Sequence, residues 1–228
     1  MVQLDTVNGD AYRSAVDALL RECRGLAQRG LVLAAAGNAS VAVGDHILLT
    51  ASGAAFADLD PSSLTLVDRS GAVVAGERAP TSELALHLRV HRRGDVGAVV
   101  HTHGRHAVAL STVSSALPVL HYYCVDLGDS VPVAPYRCFG TEELSAVTAA
   151  ALGTGNGVLM ANHGSLTVGS SVKQAAERAE LLEWLCQVAL LATAAGRPTE
   201  LSRDQLQEVR AAMHARRADP LPDPVGQP

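Results

Sequence analysis

Residues 96–103 read VGAVVHTH, that is Val96-Gly97-Ala98-Val99-Val100-His101-Thr102-His103. Val96–Thr102 is a dense run of β-prone residues and predicts a strand. Side chains two apart in a strand project from one face, so His101 and His103 point together while Thr102 points away. Two imidazoles side by side at a strand end suit Zn²⁺ or another borderline divalent metal. The chain holds nine histidines, so an isolated H-x-H can arise by coincidence and the surrounding sequence has to decide.

Upstream of this strand, a helix is predicted from Thr81 or Ser82 to about His91. Short β-prone runs at Val41–Val43 and His46–Thr50 flank Gly44-Asp45, a hairpin signal, and Ser63–Val67 with Ala72–Ala75 make a second pair. Tyr12–Arg29 sets Val16, Leu19, Leu20, Cys23, Leu26 and Ala27 at helical spacing, and Gly30 stops that helix. Downstream, Thr141 N-caps a helix whose first turn carries Glu142 and Glu143. Val158–Ala161 reads as a buried strand, and Val172–Ala195 as a long amphipathic helix. The expectation is one domain over residues 1–215, an α/β layered fold around one mixed or antiparallel sheet. From Arg216, the prolines at 220, 222, 224 and 228 predict an extended or disordered tail over 216–228.

The chain has 228 residues, 48% hydrophobic and 18% charged, enough for a single domain with a substantial core. Its net charge of −5 leaves no basic excess to neutralise a phosphate backbone, so no nucleic-acid partner is expected. Cys23, Cys124, Cys138 and Cys186 are scattered without a C-x-x-C pair and read as thiols in a reducing cytosol. Met1–Asp10 has no apolar core of a signal peptide. The most apolar stretch, Leu181–Ala195, is interrupted by Glu183, Trp184 and Gln187, short of the roughly 18 residues of a membrane span. A cytoplasmic protein without membrane partners is expected.

Two features raise the value of the paired histidines. Asn162-His163-Gly164 places a third histidine where the strand Val158–Ala161 meets a loop, and Glu83 lies at the start of the helix preceding the histidine strand. Three histidines and a glutamate would complete a metal's ligand set. Individually, His163 also reads as a turn residue and Glu83 as compensation of the helix dipole. Gly37-Asn38-Ala39-Ser40, Thr50-Ala51-Ser52-Gly53 and Pro80-Thr81-Ser82 are small-residue turns of the kind that bind anions, though caps and turns use the same residues. His87 and His91 stand four apart without the glutamate of H-E-x-x-H and read as structural or interface residues. Gly153–Gly157 lacks the G-x-G-x-x-G spacing, and no G-x-S-x-G elbow occurs.

Taken in order, Gly37-Asn38-x-Ser40, Thr50-x-Ser52-Gly53, Thr81-Ser82-Glu83, His101-x-His103 and Asn162-His163-Gly164 resemble the class II aldolase/adducin family over roughly residues 10–200. Pro132–Tyr136 followed by Phe139–Leu144 is most similar to its L-fuculose-phosphate aldolases. The resemblance implies a three-layer αβα fold with a central, mainly antiparallel sheet, and a homotetramer with active sites between subunits. It implies one Zn²⁺ per subunit on His101, His103 and His163, with Glu83 as a fourth ligand that yields to substrate and then moves protons. It further implies a phosphate pocket of Gly37, Asn38, Ser52, Gly53, Thr81 and Ser82, and Tyr122 as an acid lent across the interface, with Tyr123 beside it. The implied substrate is a phosphorylated ketose resembling L-fuculose 1-phosphate, cleaved to dihydroxyacetone phosphate and an aldehyde. Such aldolases carry a second tyrosine near the C-terminus, and this chain has none after Tyr136. Other activities on that scaffold are sugar-phosphate 4-epimerases, which carry Asp at the position of Glu83, and methylthioribulose-phosphate dehydratases. Non-catalytic adducin-like domains lose the metal histidines, and here all three are present.

Overall fold

A computed structural model describes residues 9–218. The first half contains α1 (Asp10–Gln28), β1 (Gly37–Val43), β2 (His46–Thr50), β3 (Leu64–Asp68), β4 (Val73–Ala75), α2 (Leu84–His91) and β5 (Ala98–Thr102). The second half contains α3 (Arg105–Ser111), β6 (Val133–Ala134), α4 (Glu142–Leu152), β7 (Gly157–Met160), β8 (Gly164–Gly169), α5 (Val172–Ala195) and α6 (Arg203–Ala218). One eight-stranded sheet runs in the order β4-β3-β2-β1-β5-β8-β7-β6. Every neighbouring pair is antiparallel except β6 with β7.

The apolar stripe of α1 packs with α5 on one face of the sheet, where Leu19, Leu26, Leu48, Val100 and Ala176 share a core. The opposite face is covered by α2 and α4, with Leu86, Val99, Leu144 and Leu166 between them. These layers make the three-layer αβα arrangement. β5 is the central divider: Val100 belongs to the first core and Val99 to the second, as the two-residue pleat requires. His101, two residues after Val99, therefore shares the α2 side of the sheet, and β1 pairs beside it with Asn38 opposite His101.

Gly44-Asp45 forms the tight turn between β1 and β2, with Gly44 supplying the positive φ of 56° that such a turn needs. Three expectations need correction. Gly37–Ser40 is strand and not turn, because β1 starts at Gly37 and its polar side chains find partners on α2. α2 starts at Leu84, not at Thr81 or Ser82, because Thr81 N–H is tied to the carbonyl of Thr50 and Pro80 bridges Ala51. α6 continues to Ala218, past the expected tail boundary at Arg216, and the remainder of that tail lies outside the described residues, as do Met1 to Asn8. No helix among the described residues is long and apolar enough to cross a membrane.

Candidate active site

His101 leaves the C-terminal end of β5 fully buried, and its Nδ1–H donates to the Ser165 carbonyl of β8 at 2.9 Å. That bond fixes the tautomer and leaves Nε2 bare, the usual support behind a metal-binding imidazole. His101 Nε2 lies 2.9 Å from His103 Nε2 and 3.2 Å from Glu83 Oε2, and Glu83 Oε1 lies 3.6 Å from His163 Nε2. The three rings stand edge to face with centroids 4.7–4.9 Å apart. Residues 60 positions apart thus converge, as the spacing along the chain alone could not dictate.

Two backbone features bring His163 to the pair. Asn162 takes the left-handed conformation, φ 56°, which asparagine tolerates better than most residues. Gly164 follows because a Cβ there would sit 2.3 Å from the Thr102 carbonyl and 3.3 Å from His103 Cδ2. On the far side of His103, Gly104 faces Glu183, whose carboxylate accepts the N–H groups of His106 and Ala107 and so caps α3 from a distance.

Burial pushes His103 down to about 3 and His163 to about 4, reinforced by neighbouring imidazoles and opposed by Glu83. At neutral pH both are neutral lone-pair donors. Burial pushes the Glu83 carboxyl upward, but His101, the Asn38 amide, His163 and His87 together outweigh it and hold the group below the usual carboxylate range. Glu83 Oε1 is buried without a hydrogen-bond partner. An orphaned carboxylate oxygen beside converging imidazole nitrogens is the donor set of a divalent cation, and His101, His103 and His163 have ligand atoms within 4.8 Å of one another. The residues fit a metal, with Glu83 poised as a further oxygen donor.

A cavity of about 220 Å³ opens from this cluster, lined by Glu83, His103 and His163. The same cavity is lined by Gly37, Asn38, Ser52, Gly53, Thr81 and Ser82, so the three expected anion-binding segments do come together. Their roles divide on inspection. Ser52 N–H goes to the Ala79 carbonyl and Thr81 N–H to the Thr50 carbonyl, while the Thr81 hydroxyl accepts the Glu83 N–H. The N–H groups of Gly53 and Ser82 and the hydroxyls of Ser52 and Ser82 remain for a ligand among the described residues. Asn38 lines the cavity but gives its side chain to Glu83 and His87. Phe139, 68% exposed, also lines the cavity; nothing in its local sequence marked it as a site residue.

Tyr122 does not line this cavity. It is 42% exposed, stacks on His121 with centroids 4.4 Å apart, and neighbours Tyr123, while His121 also meets Trp184. Its hydrogen bond and charge coupling with Tyr123 raise its phenol above the ordinary range, so it is protonated at neutral pH.

The chain belongs to the class II aldolase/adducin family: residues 17–190 match the Class II Aldolase and Adducin N-terminal domain. It is a metal-dependent aldehyde-lyase. It is 34% identical over 193 residues to a 5-methylthioribulose-1-phosphate/5-deoxyribulose-1-phosphate aldolase of Rhodospirillum rubrum, covering 84% of this chain and 87% of the relative. To the L-fuculose phosphate aldolase of Escherichia coli K12 it is 32% identical over 189 residues, 82% of this chain and 87% of that one. A solved L-fuculose 1-phosphate aldolase superposes with a TM-score of 0.85 at 30% identity, covering 88% of this chain and 96% of that chain.

Proposed function

We propose that this chain is a zinc-dependent aldolase that reversibly cleaves a phosphorylated ketose to dihydroxyacetone phosphate and an aldehyde. The observation that carries this is one cavity lined both by imidazoles with an unpartnered carboxylate oxygen and by free hydroxyl and N–H donors. A phosphate at Ser52, Gly53 and Ser82, close to the N-terminus of α2, would hold the three-carbon fragment with its carbon chain toward Glu83. Zn²⁺ bound by His101, His103 and His163 supplies Lewis-acid stabilisation of the negative charge that develops when the carbon–carbon bond opens, worth several kcal/mol.

In the condensation direction, Glu83 Oε1 accepts a proton from the carbon of dihydroxyacetone phosphate that becomes the nucleophile. Tyr122, protonated and contributed by a neighbouring subunit of a homotetramer, donates a proton to the aldehyde oxygen as the new bond forms. Cleavage reverses both transfers. Phe139 and the alanines at 35 and 36 give the cavity mouth an apolar side, and the chain has no tyrosine after Tyr136. That combination favours an aldehyde with a deoxy or thioether end over a fully hydroxylated one. In this reading the enzyme works in the cytoplasm.

The test is direct. Zinc-loaded protein is given L-fuculose 1-phosphate, 5-deoxyribulose 1-phosphate and 5-methylthioribulose 1-phosphate, with and without a chelator, and dihydroxyacetone phosphate is measured. Chelator-sensitive release is expected, faster with the two deoxygenated ketoses. Epimerised or dehydrated products without the three-carbon fragment would refute the aldolase assignment.

A further inference from the structure

A second set of buried polar side chains runs along the α2 side of β1 and ends on the catalytic carboxylate. Asn38 Nδ2 lies 2.9 Å from Glu83 Oε2, and Asn38 Oδ1 lies 2.5 Å from His87 Nε2. His87 Nδ1 lies 2.7 Å from Ser40 Oγ, and Ser40 Oγ lies 2.8 Å from His91 Nε2. Asn38, Ser40, His87 and His91 are all buried, so water does not substitute for these bonds.

The direction of every bond is forced. An ionised carboxylate only accepts, so the amide end facing Glu83 is Nδ2 and the other end is the carbonyl oxygen. That oxygen also only accepts, so His87 carries its proton on Nε2. Its Nδ1 is then a lone pair and takes the Ser40 hydroxyl proton, and Ser40 in turn accepts from His91 Nε2–H. With the amide flipped, two oxygens would face each other at Glu83, so the carboxylate sets the amide orientation. His87, donating from Nε2 to the Asn38 Oδ1, holds the amide in that orientation.

We propose that His87, with Ser40 behind it, is a positioning residue that holds the Asn38 amide on Glu83 Oε2 and so leaves Oε1 as the oxygen that handles the substrate proton. This rests on the aldolase reading for its catalytic consequence. It assigns His87 a role through Asn38 without contact to substrate or metal. The sequence reads His87 as a structural or interface residue, and the hydrogen bonds give it partners inside one subunit.

The test uses the zinc-loaded full chain and the ketose 1-phosphate it cleaves fastest. His87→Phe fills the site without a donor and is expected to lower kcat about 10–100-fold, with KM and zinc content near wild type. His87→Gln places an amide N–H where Nε2 was, whereas His87→Asn places one nearer Nδ1. Gln is expected to recover most of the lost kcat and Asn little. Equal activity of the Gln and Asn variants, or loss of zinc in step with kcat, would overturn the proposal. The ¹⁵N shifts of His87 in wild-type protein give a readout free of turnover: an Nε2–H tautomer that changes in Asn38→Ala supports the relay, and an Nδ1–H tautomer ends it. If no ketose phosphate is cleaved, the aldolase reading fails while the tautomer still decides the relay.

Discussion

Two groups of histidines, His87 with His91 buried and His101 buried beside the half-buried His103 and His163, lie close to Glu83, and they are satisfied in different ways. His87 has a hydroxyl at one nitrogen and a carbonyl oxygen at the other, and each bond pairs a donor with an acceptor. His101, His103 and His163 face one another and the orphaned Glu83 Oε1 with lone pairs. His87 and His91 in the first group, and His103 and His163 in the second, are neutral because burial makes charging these imidazoles costly. A set of hydrogen bonds that is closed at His87 and ends on His91, whose Nδ1 is left without a partner, stabilises the fold and orients a neighbour; a set of acceptors converging on one point fits a cation. Histidine count does not separate the two. The partner atoms do.

The largest test of that contrast is removal of one histidine from each group. His103→Ala is expected to abolish zinc retention, read by metal analysis of purified protein, and to slow cleavage by roughly a thousandfold, the equivalent of about 4 kcal/mol. His91→Ala should keep the zinc and instead lower unfolding stability by about 2–4 kcal/mol, through a cavity and a stranded Ser40 acceptor. Zinc lost equally from both variants would erase the distinction. Glu83→Gln belongs with the first group in activity and the second in metal: turnover disappears and zinc stays.

A smaller effect sharpens how the open group is assembled. Gly164→Ala pushes a methyl against the Thr102 carbonyl, 2.3 Å away, and against the His103 ring. The strand end must shift, costing about 1–3 kcal/mol in chemical denaturation. Zinc affinity, measured by chelator competition, is expected to fall about 10-fold or more because His163 moves off the pair. Wild-type affinity in that variant would mean that the third ligand does not depend on the close approach of β8 to β5.

The open group was legible in the sequence and the closed one only half so. His101-x-His103 follows from the strand period, and Asn162-His163-Gly164 combines a residue suited to left-handed backbone with one that has no Cβ to strike β5. The long helix Val172–Ala195 is legible from its regular apolar period, and in the structure Ser171 caps it. Gly37–Ser40 was misread as a turn because small polar residues lack strand propensity; their strand is imposed by pairing with β2 and β5 and by His87 and His91 across from Asn38 and Ser40. α3 went unnoticed because its cap comes from Glu183, far along the chain. β8, with glycine at both ends, and α6, where Leu206 alone is buried among the apolar residues whose side chains are described, had no strong apolar pattern to read. The relay to Glu83 had no local signature at all, since its members meet only when β1 lies under α2.

The mildest effect expected from the same contrast is the acid sensitivity of the closed group. Burial first, and the His91 imidazole second, push His87 down to about 3 against the opposing pull of Glu83, and burial pushes His91 to about 4. In the unfolded chain both return to an ordinary value near 6.5. Depressed folded values mean that the unfolded state binds more protons below pH 6.5, so stability is fully present above that pH and drains away as pH falls toward 4. Each histidine contributes a slope of at most about 1.4 kcal/mol per pH unit in that window. His87→Gln removes one titrating group, so urea unfolding between pH 7 and 4.5 should show a shallower loss than wild type by up to one proton. Identical slopes in the two proteins would mean that His87 charges as readily when folded as when unfolded, and the closed group would not be closed.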